Sequence, residues 1–179
     1  MTLSGFILYT EGQILWGRIV SFTMEKAFHD IKALLEKRGA DFRVLVHEPV
    51  HTSEEAARAR RAPQKSGIKA LIFFCDGSPF LVLVRGDHKA DTKKLRKVTQ
   101  TKDIRLATAE EVVDVCNCEI GSVHPLGPLM NISKTIMDRT ILNNDRVNFS
   151  AGLPTHTINM PLKAFVGIAE PVITDIAAT

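Results

Sequence analysis

Two apolar segments joined by a short polar turn dominate the hydrophobic pattern of the chain. Residues 68–75 (IKALIFFC) and 79–84 (PFLVLV) are apolar at nearly every position, which is typical of strands covered on both faces. The turn between them runs from Asp76 to Pro79. Gly77 tolerates a positive φ in such a turn, and Pro79 can begin the second strand. The pattern therefore predicts a buried hairpin at the centre of a sheet.

Lys69 interrupts the apolar pattern of the first strand. Alternation places it on the same face as Leu71, Phe73 and Cys75, so a cation begins an otherwise apolar row. A lysine at the mouth of a strand usually extends its ammonium group to water, and the strand pattern alone favours that interpretation. The alternative is a polar anchor in a pocket.

Helical spacing predicts an amphipathic helix ahead of this hairpin. Its apolar stripe runs from Met24 to Arg38, and its outer positions are polar. Thr23 is the expected cap, and Gly39 is the expected end. The apolar stripe predicts a role in core packing.

Two capping boxes predict further helices. Thr52 with Glu55 predicts a helix from about Ser53, and an ordinary cap explains Thr52 fully, so a role in a site would be additional. The second box, at residues 108–111, opens a helix that extends through Val115. The remaining predicted segments are helices at 91–97 and 161–169, the latter with Pro161 at its first position, and strands at 42–47, 104–107, 132–137, 147–150 and 157–160.

The order of these segments predicts the fold class. Strands and helices are interspersed without strict alternation, which favours one mixed α+β domain over residues 24–179. Residues 1–23 look separate, because their apolar stretches would form a hairpin of their own or an extension upstream of the domain.

Composition and charge narrow the class of protein only slightly. The chain is 45% hydrophobic and 24% charged, which is ordinary for a globular protein. Lys and Arg (23) barely exceed Asp and Glu (20), so net charge alone does not indicate a nucleic-acid partner. The basic residues nevertheless cluster at 58–65 and 89–105. Each run alone is typical of a solvated face, but two runs that flank one hairpin are also what an RNA site requires.

Cysteine usage and the N-terminus indicate a cellular compartment. Three cysteines without a secretory signal or a membrane span predict a reducing, cytoplasmic setting. Cys75 is expected in the core. Cys116 and Cys118 lack the spacing of a zinc site, so no metal is expected.

The chain lacks several familiar catalytic motifs. It contains no Gly-x-Ser-x-Gly elbow, no His-Glu-x-x-His, no phosphate loop and no GxGxxG after a strand. Two irregular segments, 120–128 and 153–157, contain glycine and proline, and such loops often contact ligands. Each carries a histidine, His124 or His156. An isolated loop histidine is more often a surface residue than a catalyst.

The joint order of several soft motifs is more specific than any one of them. In chain order they are Glu48-Pro-Val-His-Thr-Ser-Glu-Glu-Ala-Ala, Lys69 at the start of a strand, Gly86-Asp87, Arg105-Leu-Ala-Thr-Ala-Glu-Glu-Val, Gly121-Ser-Val-His-Pro-Leu-Gly, Asp138 and the turn at Gly152. This order resembles the YbaK/ProX family of aminoacyl-tRNA deacylases, relatives of the editing domain inserted in bacterial prolyl-tRNA synthetases. The resemblance covers residues 24–175, most of the chain.

The resemblance implies a fold, a reaction and a set of partners. The fold would be a curved, mixed, barrel-like sheet surrounded by helices. The reaction would be hydrolysis of the ester that joins a wrong amino acid to tRNA, of the alanyl or cysteinyl type on tRNA for proline, without metal or other cofactor. The tRNA's own terminal hydroxyl and positioned backbone groups would assist. The partners would be the acceptor end of the aminoacyl-tRNA and an aminoacyl-tRNA synthetase.

The resemblance also assigns candidate site residues. Lys69 is the principal functional side chain, and the loop 121–127 shapes the pocket, so Lys69 and Gly121 are the catalytic candidates. The substrate-binding candidates are Thr52, Ser53, Ala70, Ser122, His124, Pro125, Gly127, Asp138, Gly152 and His156.

The chemistry of such a site is modest. An activated ester needs a positioned water, donors for the developing oxyanion and an oriented RNA end. A lysine can hold a phosphate or another polar group of the terminal adenosine, and amides near Gly121 can meet the carbonyl oxygen.

Two departures from the family pattern keep alternatives open. Ala70 stands where the alanine-editing branch usually has Asn and the cysteine-editing branch often has Thr, and His124 stands where many members have Pro. Both positions bear on substrate choice, so the sequence does not choose between alanine and cysteine. A non-catalytic relative that binds tRNA or a synthetase is the alternative, and a hydrolase of another small ester is a third.

Overall fold

The computed structural model describes residues 25–178. The hairpin expected within residues 1–23 and the cap expected at Thr23 lie outside this part. The described helices are α1 (25–37), α2 (Ser53–Ala59), α3 (Thr92–Thr99), α4 (Ala109–Cys116) and α5 (Leu162–Ala169). The described strands are β1 (Arg43–Val46), β2 (Ile68–Cys75), β3 (Ser78–Arg85), β4 (Ile104–Leu106), β5 (Thr135–Asp138), β6 (Arg146–Ser150), β7 (His156–Pro161) and β8 (Val172–Thr174). The mixed α+β class is confirmed.

The larger sheet, in the order β4-β2-β3-β5-β8, contains the predicted hairpin. The antiparallel register of β2 and β3 pairs Cys75 with Ser78, so a two-residue turn, Asp76-Gly77, connects them. Both turn residues have positive φ, 47° and 78°, which matches the twist of the two strands. The local turn chemistry therefore fixes the register of the central strand pair.

The hairpin is covered on both faces, as its apolar pattern predicted. Ile68 and Ile72 belong to the larger core cluster, which also contains buried residues of α1 and α5. Phe73 and Cys75 belong to a second cluster on the opposite face. Lys69 is thus the first residue of the row that leads into the second cluster.

The smaller sheet, in the order β1-β7-β6, is antiparallel and meets the larger sheet at one corner. There Gly67 forms an isolated parallel bridge with Asn148. The buried Asn148 amide donates to Ser66 Oγ (3.0 Å) and accepts from Asn159 Nδ2 (3.0 Å). In the described chain, strand pairing between the sheets is confined to this bridge. The sheets therefore do not close, and the expected barrel-like sheet is corrected to two sheets joined at a corner.

Asp138, at the end of β5, fastens the C-terminal segment to the larger sheet. Its carboxylate is fully buried, and Oδ2 accepts from the backbone N–H groups of Ile176 (2.9 Å) and Ala177 (2.7 Å). Oδ1 accepts from the Thr140 N–H (2.9 Å) and from the Thr140 hydroxyl. Burial raises the pKa of this carboxyl, but the hydrogen bonds outweigh burial and hold the pKa below its ordinary value. We call Asp138, Thr140, Ile176 and Ala177 the C-terminal clasp.

Two details near the C-terminus differ from the sequence prediction. β8 pairs in parallel with β5, whereas the sequence pattern predicts no element after α5. The strand is only three residues long and is mostly exposed, so burial leaves no periodic pattern in it. Pro161 is the cap of α5 rather than its first residue, because it still pairs with Arg146 in the smaller sheet.

Three other predicted helix ends agree with the structure, whereas the helix predicted at 91–97 runs from Thr92 to Thr99. Capping boxes form at Thr52 with Glu55 and at Thr108 with Glu111. Gly39 follows α1 with a φ of +62°, as expected of a residue that ends a helix.

Candidate functional site

A cavity of about 440 Å³ opens where the two sheets, α2 and the loop at 117–126 meet. Half of the twelve candidate residues line it: Lys69, Gly121, Thr52, Ser53, Ala70 and His156. The fold thus brings both catalytic candidates to one cavity. Polar side chains that also line it, and that sequence reasoning did not single out, belong to His47, His51, Glu54, Arg60, Gln64, Ser150 and Thr157.

Gly121 forms one wall of the cavity through its backbone. Its φ is +91°, and a Cβ at this position would lie 2.8 Å from the carbonyl oxygen of His51 and 3.1 Å from its Cα. Glycine is therefore required both by the backbone conformation and by the close approach. The contact brings the loop against the residue that precedes Thr52, so two distant motifs form one wall.

Lys69 lines the same cavity at the start of β2. Its side chain is half-buried, and Nζ donates to the carbonyl oxygen of His88 at 2.9 Å. Burial lowers the pKa of Lys69, a nearby Asp87 opposes that shift and Lys89 adds to it. Asp87 itself pairs with Arg85, and Lys69 forms no ion pair with any residue in the described part of the chain. Its ammonium therefore has one neutral acceptor in the described chain, on a residue that does not itself line the cavity.

Two histidines and a threonine form a third side of the cavity. Nδ1 of His47 lies 2.8 Å from the Glu48 carbonyl oxygen, which can only accept, so Nδ1 carries the proton in the neutral ring. Nε2 then accepts from the Thr157 hydroxyl at 2.9 Å. His156 packs on Phe28 with ring centroids 4.8 Å apart, and burial and His47 lower the pKa of His156. The sequence marked His47 only as the end of a strand, so its place in the cavity depends on the pairing of β1 with β7.

Arg60 is the cap residue that follows α2, and its side chain enters the cavity wall. Nε is buried without a hydrogen-bond partner in the described structure, and burial lowers the pKa of the guanidinium. Nη2 lies against Gly67, where a Cβ would come within 2.6 Å of it. The basic run at 58–65 contained Arg60, but nothing in the run distinguishes it from its exposed neighbours.

Three of the other candidates are buried in the loop behind Gly121. Pro125 is buried, and Ser122 is 1% exposed. The Ser122 carbonyl accepts from Ser150 Oγ (2.9 Å), but its hydroxyl has no partner among the described residues. Gly127 begins a 3-10 turn, and a Cβ there would lie 2.6 Å from the Ile132 carbonyl oxygen. These residues shape the loop from behind.

Another candidate residue, His124, lines a separate cavity of about 160 Å³. Lys26, Asp30 and Cys116 line the same cavity. Its ring is 2% exposed, and Nδ1 accepts from the Leu126 N–H at 3.3 Å. Burial lowers the pKa of His124 to about 4, although Asp30 acts in the opposite direction. The imidazole is therefore neutral near pH 7.

The last two candidates lie outside both cavities. Asp138 is the centre of the C-terminal clasp. Gly152 has a φ of +84° and packs against α1, where a Cβ would lie 3.0 Å from that of Ala27. Each is placed in a structural contact.

Between residues 25 and 178, no three His, Cys, Asp or Glu side chains converge in a way that would hold a metal ion. Cys75, Cys116 and Cys118 are buried free thiols. None of the helices described has the length and apolarity needed to cross a bilayer.

Comparison with known proteins gives a family match that contains the cavity. The family model of the aminoacyl-tRNA editing domain matches residues 47–167, which include every residue that lines the larger cavity. A proline--tRNA ligase from Geobacillus thermodenitrificans is 41% identical over 85 residues, which are 48% of this chain but only 15% of the ligase.

Two further relatives match over most of their length. The multifunctional Ser/Thr-tRNA deacylase ProXp-y of Escherichia coli K12 is 27% identical over 152 residues, 82% of this chain and 90% of that protein. A crystal structure described as a candidate trans-editing enzyme for prolyl-tRNA synthetase has a TM-score of 0.73 and 25% identity. That comparison covers 86% of this chain and 98% of the other.

Proposed function

Since this chain belongs to the aminoacyl-tRNA editing domain family, we propose that it is a trans-acting deacylase that hydrolyses the ester of mischarged tRNA. The observation that carries the proposal is the convergence of Lys69, Ala70 and Gly121 on one cavity. A relative that covers most of the chain is itself named as a tRNA deacylase.

The reaction requires little from the protein. Water adds to the ester carbonyl carbon, the tetrahedral oxyanion collapses, and the bond to the ribose oxygen breaks as that oxygen takes up a proton. Lys69 would orient the RNA end, because it lines the cavity and its ammonium donates to one acceptor in the described chain, which leaves donors for a ligand. Backbone N–H groups near Gly121 would stabilise the oxyanion.

The identity of the amino acid that is removed from the tRNA is a more specific part of the proposal. The expected substrates are tRNA for proline that carries alanine or cysteine, with a prolyl-tRNA synthetase as the partner that produces the error. The name of the Escherichia coli relative adds serine and threonine. The hydroxyl and imidazole groups of Thr157, Ser150 and His156 suit a small, polar side chain, so serine and threonine belong in the test.

The direct test is an ester-hydrolysis assay. The purified chain is incubated with tRNAs charged with alanine, cysteine, serine or threonine, and loss of the amino acid is followed against buffer. We expect at least one ester to be cleaved faster than the control. If every ester survives while the chain still binds tRNA, the non-catalytic alternative replaces this proposal.

A variant of Lys69 tests the proposed role of that residue. Lys69→Met keeps the aliphatic stem and removes the ammonium, so we expect hydrolysis to fall about 100-fold or more with little change in the melting temperature. The matched control is Lys163→Met, an exposed lysine on α5 away from the cavity. Equal rates for both variants would remove Lys69 from the site.

A further inference from the structure

The Arg60 guanidinium is a cation without a counter-ion in the wall of the cavity, and we infer that it binds a phosphate of the RNA 3′ end. The identity of the RNA depends on the proposed function. The presence of an anion site depends on the contacts of Arg60 alone.

Arg60 differs from the other arginines of the described chain. Arg58, Arg85, Arg105 and Arg146 each form an ion pair with a carboxylate. The other arginines in residues 25–178 that lack one are exposed at the surface: Arg38, Arg43, Arg61, Arg96 and Arg139. Arg60 is withdrawn from water and has neither a carboxylate nor an acceptor for Nε. A charge in that position is costly unless a ligand completes its hydrogen bonds.

The surroundings of Arg60 favour an anion. Lys69 lines the same cavity, and the acidic side chain in the lining, Glu54, is already paired with Arg58 at 3.0 Å. Gly67 leaves the space that the guanidinium occupies, since a Cβ there would come within 2.6 Å of Nη2. The cavity therefore has an unbalanced positive charge beside a flat donor group.

The chemistry of the substrate identifies the anion. The end of an aminoacyl-tRNA carries an ammonium, an ester, ribose hydroxyls and a neutral base. Its carboxyl group is esterified, so phosphate is the anion that remains. A guanidinium matches phosphate because two parallel N–H groups can donate to two oxygens at once.

The test compares binding of adenosine 5′-monophosphate with binding of adenosine by titration calorimetry. The unmodified chain should bind the phosphorylated compound about 10-fold more tightly or better, because the added contact is a charge-assisted hydrogen bond. Arg60→Met should abolish that preference, and Arg60→Lys should retain part of it. The matched control is Arg61→Met, the next residue of the same basic run, which is exposed and does not line the cavity, and it should keep the full preference.

The outcomes separate this inference from the proposed function. If Arg60→Met and Arg60→Lys, both shown to be folded by thermal melting, prefer the phosphorylated compound as strongly as the unmodified chain, the inference is overturned even when tRNA esters are hydrolysed. If no tRNA ester is cleaved but the preference for phosphate depends on Arg60, the anion site stands without the proposed reaction.

Discussion

The C-terminal clasp and the cavity wall each withdraw a charged side chain from water, but they satisfy it differently. Asp138 is 0% exposed, and its two oxygens accept four hydrogen bonds from three residues. Arg60 is half-buried, and its Nε has no partner within the described chain. The fold itself supplies the hydrogen-bond partners of the carboxylate, whereas the guanidinium is left without a partner for Nε.

This difference distinguishes a stabilising group from a binding group. Hydrogen bonds that are made on folding contribute to the free energy of unfolding, and their loss leaves donors unsatisfied. A charge without partners contributes little to stability and is retained where a ligand supplies the missing contacts. Removal of Asp138 should therefore cost much more stability than removal of the Arg60 guanidinium.

The largest expected effect is at the clasp. Asp138→Ala leaves the buried N–H groups of Thr140, Ile176 and Ala177 without their acceptor, so the free energy of unfolding should fall by about 3–5 kcal/mol. Urea denaturation measures this change. Asp175→Ala is the matched control, because Asp175 lies beside the clasp but forms a solvent-exposed pair with Lys94. It should cost less than about 1 kcal/mol. Similar losses for both variants would contradict the assignment.

His124 adds a pH-dependent case to the comparison. Its pKa of about 4 in the fold lies below the ordinary 6.5, so protons bind the unfolded chain more readily than the native one. The contribution of neutral His124 to the free energy of unfolding is complete above about pH 6.5. It is lost progressively as pH falls toward 4, by a total of about 3 kcal/mol.

The variant His124→Asn should flatten this dependence. An Asn side chain can accept from the Leu126 N–H as the imidazole does, but it does not titrate. The measurement is the melting temperature of each variant at several pH values between about 4 and 7. His29→Asn, at an exposed position of α1, is the control and should melt like the unmodified chain. A profile that stays steep in His124→Asn would rule out His124 as its source.

Arg60 should matter far less for stability than Asp138. Arg60→Met keeps the packing of the stem and removes the unpartnered Nε, so the free energy of unfolding should change by less than about 1 kcal/mol. Urea denaturation of this variant beside Asp138→Ala gives the sharpest form of the comparison. A loss as large as that of Asp138→Ala would mean that Arg60 is structural.

The smallest expected effect is at Ser122. Its buried hydroxyl has no partner in the described residues, so Ser122→Ala should leave stability unchanged or raise it by about 0.5–1 kcal/mol. Ser150→Ala is the contrasting variant, because the Ser150 hydroxyl donates to the Ser122 carbonyl oxygen at 2.9 Å. It should destabilise the chain by about 1 kcal/mol. The reverse order of stabilities would show that Ser122 has a partner.

Local rules explain what could be predicted from the sequence. The hairpin, its turn and the two capping boxes depend on residues within a few positions of each other, and all of them appear in the structure. The separation of Ile72 and Phe73 into two core clusters follows from strand alternation alone.

Features that depend on tertiary contacts escaped prediction. β8 pairs with a strand more than 30 residues earlier, and its three residues carry no periodic pattern. The sheets do not form a closed barrel, because strand pairing between them is confined to the bridge of Gly67 with Asn148 in the described chain. Arg60 could not be told from Arg58 in a basic run, since only the fold turns one of them toward the cavity.

The clasp has a consequence for the order of events during synthesis. Asp138 depends on amides that are 38 and 39 residues later in the chain. At a translation rate of about 5–20 residues per second, those partners emerge about 2–8 s after the carboxylate. During that interval the edge of β5 is unpaired, and the nascent chain presents an open strand beside an unsatisfied charge. The larger sheet is therefore completed only after β8 has emerged, and the β5 edge stays open to other strands until then.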